Sequence, residues 1–295
     1  RPPPARECSL IESVWPRSGT DSRFDRFALT LRRLPGFCNI CGRITLFEVT
    51  SPNFREHVPC GHCRSVNRHR QIASVLLSWA VAQGGEPGRF ASLKNLPDGL
   101  VVWNTEATRA LNGGLRDRLG PTCISSEFLD PALPSGTMRD GILHADIQNS
   151  HFQDDSIDYI LSSDVMEHVP HVEAALADTY RVLRTGGAHI FTAPFYQHRF
   201  STEKRAVMAA DGQIRHLLHP WYHDDPVRAE GVLCFNVFAP ELLVAIENTG
   251  FEAHLLMLHS PFHGILGANG IVVVARKVKT PGHRVDRIFP GKPSV

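Results

Sequence analysis

Apolar positions recur along the chain in two rhythms. Residues 68–85, "RHRQIASVLLSWAVAQGG", place Ile72, Val75, Leu76 and Trp79 on one helical face and run into Gly84-Gly85, a helix stop. From about residue 99, short apolar runs alternate with helical stretches. Val101–Trp103, Thr122–Ser126, Ile157–Leu161, Ala188–Ala193 and Gly270–Ala275 read as strands, and Leu111–Leu119, Val172–Leu183 and Pro240–Asn248 as helices. In the second of these helices, Val172, Ala175, Leu176, Thr179 and Leu183 form a packing face, with Gly186-Gly187 as its stop. This alternation predicts an α/β fold, a mostly parallel sheet covered by helices on both faces.

The rhythm divides the chain. Residues 1–36, rich in Pro and Arg, read as an N-terminal arm. A cysteine-bearing knuckle fills 37–66, and a connecting helix and linker fill 67–98. The principal domain is expected over 99–278, interrupted at 195–236 by an insertion dense in His, Trp, Tyr and Asp that reads as a cap; 279–295 reads as a flexible tail.

Of the 295 residues, 42% are hydrophobic and 21% charged, the balance of a soluble globular protein. A formal net charge of +1 counts against a broad nucleic-acid surface. "SVLLSWAVA" (Ser74–Ala82) falls short of the ~20 residues a membrane span needs. No basic segment followed by an apolar core opens the sequence, so a cytoplasmic location is expected. Nothing in the sequence sets an oligomeric state.

Four of the seven cysteines, Cys38, Cys41, Cys60 and Cys63, form C-x2-C-x18-C-x2-C. Two such turns bring four thiolates to one tetrahedral zinc ion, and four thiolates leave no open position, so the ion is expected to be structural. Two disulfides or a redox pair are the competing arrangements. Cys8, Cys123 and Cys234 read as ordinary buried thiols.

"DDSIDYILSSDVMEHVPHVEAALADTYRVLRTGGAHIFTAPF" (Asp154–Phe195) resembles class I S-adenosylmethionine-dependent methyltransferases, and the resemblance extends from about Gly99 to Lys277. It implies a Rossmann-like seven-stranded sheet with helices on both faces. The knuckle followed by "SVNRHRQ" is similar to a bacterial subgroup of uncharacterised or glycan-linked methyltransferases whose first loop is of the "NTE" or "APE" kind.

That resemblance assigns the cofactor residues. In "LVVWNTEATRALNGGL" (Leu100–Leu115), Thr105 and Ala107 fall where the family carries glycines, and Glu106 faces the cofactor's ammonium group. Small side chains at a helix N-terminus substitute for the glycines, or else the loop is degenerate. Glu127, some 20 residues beyond the loop, stands where an acid holds ribose hydroxyls in such folds. Asp146 matches the acid that receives the adenine amino group, Ile147 covers the ring, and Asp164, past the fourth strand, completes the cofactor-facing set.

Asp164, Glu167 and His168 form D-x-x-E-H past the fourth strand. On a helical turn these positions share a face, and two carboxylates with an imidazole suit a divalent ion such as Mg2+. The pattern resembles the E-x-x-E-H of plant small-RNA and ubiquinone-pathway O-methyltransferases, where a divalent ion assists transfer to a hydroxyl. "HLLHPWYHDDP" supplies the further ligand, His223 first and His219 second. Without metal, Glu167 and His168 are structural, or His168 or His223 acts as general base beside Asp164. "APFY" (Ala193–Tyr196) reads as a strand-end turn, and "CRSVNRHR" (Cys63–Arg70) as a charged first helical turn or a phosphate contact.

The expected activity is methyl transfer to a hydroxyl of a sugar or secondary metabolite. The alternatives are an RNA methyltransferase, a small-molecule N-methyltransferase, and a non-catalytic adaptor on a methyltransferase scaffold.

Overall fold

The apolar runs expected to be strands lie side by side in one mixed sheet. The computed structural model describes residues 23–223, 231–267 and 270–279, so most of the expected arm and tail and part of the cap lie outside it. The described chain opens with helix α1 (Arg23–Leu31) and the antiparallel hairpin of β1 (Arg33–Cys38) and β2 (Arg43–Glu48). Helix α2 (Asn67–Ala80), β3 (Val102–Asn104), α3 (Ala110–Leu119), β4 (Cys123–Glu127), β5 (Met138–Arg139), β6 (Ile142–His144), β7 (Ile157–Ser163), α4 (Val172–Val182) and β8 (Leu183–Thr192) follow. Short strands β9 (Glu203–Lys204), β10 (Ala206–Met208), β11 (Ile214–His216), β12 (Tyr222–His223), β13 (Val232–Leu233) and β14 (Asn236–Val237) pair two by two as antiparallel ladders, β9 with β14, β10 with β11 and β12 with β13, across the expected cap. The chain returns to the sheet through α5 (Glu241–Asn248), β15 (Phe251–Met257) and β16 (Ile271–Lys277).

The sheet has eight strands in the order β15-β16-β8-β7-β3-β4-β6-β5, not the seven expected. Its interior pairs are parallel, while β15, β16 and β5 run antiparallel to their neighbours. The extra strand comes from a hairpin. Asp140 and Gly141 both have positive φ, and this Asp-Gly turn folds β5 back onto β6. The expected helix stops also move. α2 ends at Ala80, short of Gly84, and α4 ends at Val182 with Gly186-Gly187 already in β8. Gly187 has a different job: a side-chain carbon there would run into the Asp158 carbonyl, so glycine lets β8 close on β7.

Side chains alternate between the two faces as strand pleating requires. Val272, Val274 and Ile190 share one buried cluster with Ile72 and Leu76 of α2, and with Ile40 and Phe47 of the β1–β2 unit. Val273, Ala275 and Phe191 belong to the other, with Ala175 and Leu176 of α4 and Leu242 and Ile246 of α5. The cysteine-bearing unit therefore packs into the main core. Helix α1, inside the expected arm, joins it through buried Ala28 and through Asp25, 3.0 Å from His259.

His189 of β8 is fully buried, its Nε2 2.6 Å from the Ser162 hydroxyl, and burial pushes its imidazole down to about 3. The folded chain keeps this ring neutral, whereas the unfolded chain protonates it below an ordinary value of 6.5. Between those values unfolding takes up a proton, so His189 makes stability fall as pH drops, by up to about 1.4 kcal/mol per unit. His189→Gln is expected to flatten the decline of the urea midpoint below pH 6.5; a decline parallel to wild type would refute this.

Candidate functional site

Open parallel sheets bind ligands beyond the carboxyl ends of their strands, where the strand order reverses. Here that point is β3, with β4 on one side and β7 on the other. A cleft of about 1270 Å³ opens there, lined by Thr105 and Glu106 after β3, Glu127 at the end of β4, Asp146 and Ile147 after β6, and Asp164 after β7. Typical small-molecule pockets run to roughly 300–1,000 Å³, so this one has room for two ligands.

The loop after β3 is shaped by side chains in place of glycines. Buried Asn104 donates its amide to the Glu106 carbonyl at 2.7 Å, and Asn112 of α3 donates to the Ala107 carbonyl at 2.6 Å. Asn112 in turn accepts from Ser125 of β4. The Thr105 N–H is donated to the Leu161 carbonyl at 3.0 Å, and the Ala107 N–H to Glu127 Oε1 at 2.8 Å. Glu127 thus ties the loop to β4 from the position expected to hold ribose. Asp146 Oδ1 accepts from the Gln148 backbone at 2.9 Å, and Ile147 is 4% exposed at the cleft wall.

Glu106, read as the acid facing the cofactor's ammonium group, lines the cleft but is buried, Oε2 lying 3.2 Å from His69 Nε2 but off the hydrogen-bond axis, and Oε1 3.6 Å from Arg68 Nη1. Burial opposes its ionisation; His69 and Arg68 outweigh that and hold the carboxyl below the usual range. "CRSVNRHR" does lead into the charged first turn of α2, but Arg68, His69 and Arg70 of that turn are all buried.

Asp164 departs most from expectation. It has φ +56°, outside the short helical turn Met166–His168, so D-x-x-E-H does not share one face. Its carboxylate takes Nε and Nη2 of Arg55 and the Thr192 hydroxyl, with Arg68 Nε 3.6 Å away. Burial works against the charge, and the two guanidiniums overcome it, holding the carboxyl well below its usual range. Asp164 is therefore separated from the group expected to bind a divalent ion.

The rest of that group does assemble. Glu167, His168 and His223 bring one ligand atom each within 4.8 Å of one another. Glu167 Oε1 is 3.7 Å from His168 Nε2 and 3.6 Å from His223 Nδ1. Glu167 is fully buried and neither oxygen has a hydrogen-bond partner among the described residues. The His168 Nδ1–H is donated to the Leu233 carbonyl at 2.8 Å, which turns the Nε2 lone pair toward Glu167. His168 and His223 line the cleft, while His219, the second choice, is exposed and sits against the Pro220 carbonyl.

Behind α2 the four cysteines converge. Cys38 and Cys63 sulfurs are 3.7 Å apart and those of Cys41 and Cys60 4.0 Å, too far for disulfides. A tetrahedral zinc–thiolate shell with bonds of about 2.3 Å spaces its sulfurs by about 3.8 Å, so the cluster fits zinc. Hydrogen bonds from Cys41, Cys60 and Cys63 hold the Cys38 thiol far below its usual range. Arg70, wholly buried beside the cluster, donates only to carbonyls and to the Ser65 hydroxyl, including Val58 at 2.6 Å, His263 at 2.7 Å and Gly264 at 2.9 Å. Burial pulls its guanidinium down to about 10, opposed by the cysteine sulfurs.

A family described as a methyltransferase domain matches residues 115–191, from α3 into β8. No curated protein matches the chain. Among solved structures, an S-adenosylmethionine-dependent methyltransferase from Mesorhizobium loti is 17% identical, with 61% of this chain and 93% of that one covered at a TM-score of 0.39. DesVI of Streptomyces venezuelae is 15% identical, with 61% and 84% covered and a TM-score of 0.37. The 1,6-didemethyltoxoflavin-N1-methyltransferase of Burkholderia thailandensis, determined with S-adenosylhomocysteine, is 14% identical, with 72% and 79% covered and a TM-score of 0.37. Likenesses this distant do not bear on substrate. The family match over residues 115–191, within the α/β sheet, supports a methyltransferase domain. Among the described residues, no helix is long and apolar enough to cross a membrane.

Proposed function

We propose that the chain is a cytoplasmic S-adenosylmethionine-dependent O-methyltransferase acting on a hydroxyl of a sugar or related small metabolite, with a structural zinc at Cys38, Cys41, Cys60 and Cys63. S-adenosylmethionine bound after β3 supplies a methyl group made electrophilic by the sulfonium. Asp146 and Ile147 sit to receive the adenine, and Glu127 stands beside the ribose position while it anchors the loop. Exposed Trp221 and Tyr222 of the cap wall the acceptor side.

The observation that carries the oxygen acceptor is the fully buried Glu167 carboxylate, unpartnered and facing two imidazoles at the cleft. Burying a carboxylate without partners is costly, and a divalent cation shared with His168 and His223 removes that cost. Such an ion acts as a Lewis acid toward an acceptor hydroxyl.

Calorimetric titration of S-adenosylhomocysteine into the zinc-loaded chain tests the reading. Micromolar binding is expected, weakened about 10- to 100-fold by Glu127→Ala. Mn2+ titration followed by electron paramagnetic resonance is expected to show one bound ion, lost in Glu167→Gln while nucleoside binding persists. Absence of nucleoside binding would favour the adaptor alternative; methyl transfer indifferent to divalent metal would remove the ion from the mechanism.

A further inference from the structure

An anionic group entering beside the β3 loop meets a loop in which two backbone donors are already engaged. The Thr105 and Ala107 N–H groups are committed to Leu161 and Glu127. Guanidiniums reach the same cleft: Arg109, at the start of α3, sets its Nε 3.8 Å from Glu106, and two more come from the cysteine unit and the helix after it. Arg55 precedes the second cysteine pair by five residues, and Arg68 follows it by five; both guanidiniums reach the cleft. Arg68 is 8% exposed and occupied with Glu56 at 2.7 Å and with Ser163. Arg55 is the more open at 19%, and it sets only Nε and Nη2 against Asp164, which leaves its Nη1 edge for a ligand.

Arg55 and Asp164 form a plus–minus pair at the cleft surface, the complement of an amino acid's own carboxylate and ammonium. Building on the cofactor reading above, we infer that the amino-acid end of the cofactor is read by a pair drawn from two parts of the chain: Arg55 of the cysteine unit takes its carboxylate and Asp164 of the sheet its ammonium. Guanidinium matches a carboxylate as a planar fork, which a lysine would not reproduce.

Arg55 stands on a turn in which Phe54 donates to the Pro52 carbonyl and His57 to the Asn53 carbonyl, with Phe54 buried in the main core. Between Val49 and Val66 there is no helix and only a single bridge, Phe47 to Cys60. The same stretch runs into the cysteine cluster at Cys60 and is tied to it by Arg70, which holds the Val58 carbonyl. Occupancy of the cysteine cluster and affinity for the cofactor are therefore linked, and linkage of binding energies is reciprocal.

The test compares S-adenosylhomocysteine with 5′-deoxy-5′-methylthioadenosine, which lacks the amino-acid end, by calorimetry on the zinc-loaded full chain. For wild type the first should bind more tightly. Arg55→Gln should weaken the first about 10- to 100-fold and leave the second unchanged. Arg55→Lys should recover only part of the loss. Equal weakening of both nucleosides would make Arg55 merely structural and overturn the assignment, as would equal wild-type affinity for both. Failure of wild type to bind either nucleoside would instead bring down the cofactor reading, and this one with it. Transfer of zinc to 4-(2-pyridylazo)resorcinol should slow with saturating S-adenosylhomocysteine and not with methylthioadenosine; identical rates would overturn the linkage.

Discussion

Cys60→Ser is expected to abolish the native unfolding transition rather than lower its midpoint by a few degrees. Cys38 and Cys60 are completely buried, in one cluster with Val272 and Val274 of the sheet. Structural zinc sites contribute about 10–16 kcal/mol, as much as the ~5–15 kcal/mol by which most domains are stable at all. Loss of a ligand therefore opens the core face lined by α2, not an appended lobe. Circular dichroism melts of wild type, wild type with chelator and Cys60→Ser, with zinc measured alongside, decide the matter. A wild type that carries no zinc, or a variant that melts like wild type, would defeat the structural-metal proposal.

Arg70→Met is the second large effect, a loss of about 3–5 kcal/mol. One guanidinium serves the carbonyls of Ser65, Val58, His263 and Gly264 and stacks over Phe47 at 4.5 Å. Methionine fills the volume but strands the Val58, His263 and Gly264 carbonyls, while Ser65 keeps the Cys60 N–H, and it removes the positive charge beside the thiolates. Denaturant titration should show a lower midpoint at an unchanged slope. Retained stability would mean that the acceptors find other partners.

Periodicity located the five strands Val101–Trp103, Thr122–Ser126, Ile157–Leu161, Ala188–Ala193 and Gly270–Ala275 to within a few residues of β3, β4, β7, β8 and β16, because buried central strands are continuous apolar runs. It missed β5, although Asp140-Gly141 is a hairpin signal, because two residues carry no period. β15, "FEAHLLM", is only half-buried along an edge, so its pattern is blurred. The cysteine spacing was legible since metal ligation needs few residues at fixed separations. The roles of Arg55, Arg68 and His69 were not: their partners Asp164 and Glu106 lie at least 37 residues away, and charge near a helix start reads as a solvated face. Asp164 misled for a local reason. Its left-handed backbone breaks the helical turn that D-x-x-E-H implies, a conformation non-glycine residues seldom adopt.

The clasp between the cysteine unit and residues 259–267 bears on how the chain is made. Asn67 donates to Leu266 across 199 positions, Arg70 to Gly264 across 194, and Asp25 faces His259 across 234. At roughly 5–20 residues per second, a ribosome needs about 10–40 s to supply those partners after the cysteines emerge. During that interval the thiols can already take up metal, but the arginine beside them lacks half of its carbonyls. The cysteine unit, made well before residues 259–267, is thus among the last parts of this fold to be sealed, and a nascent-chain chaperone would find it open throughout that interval.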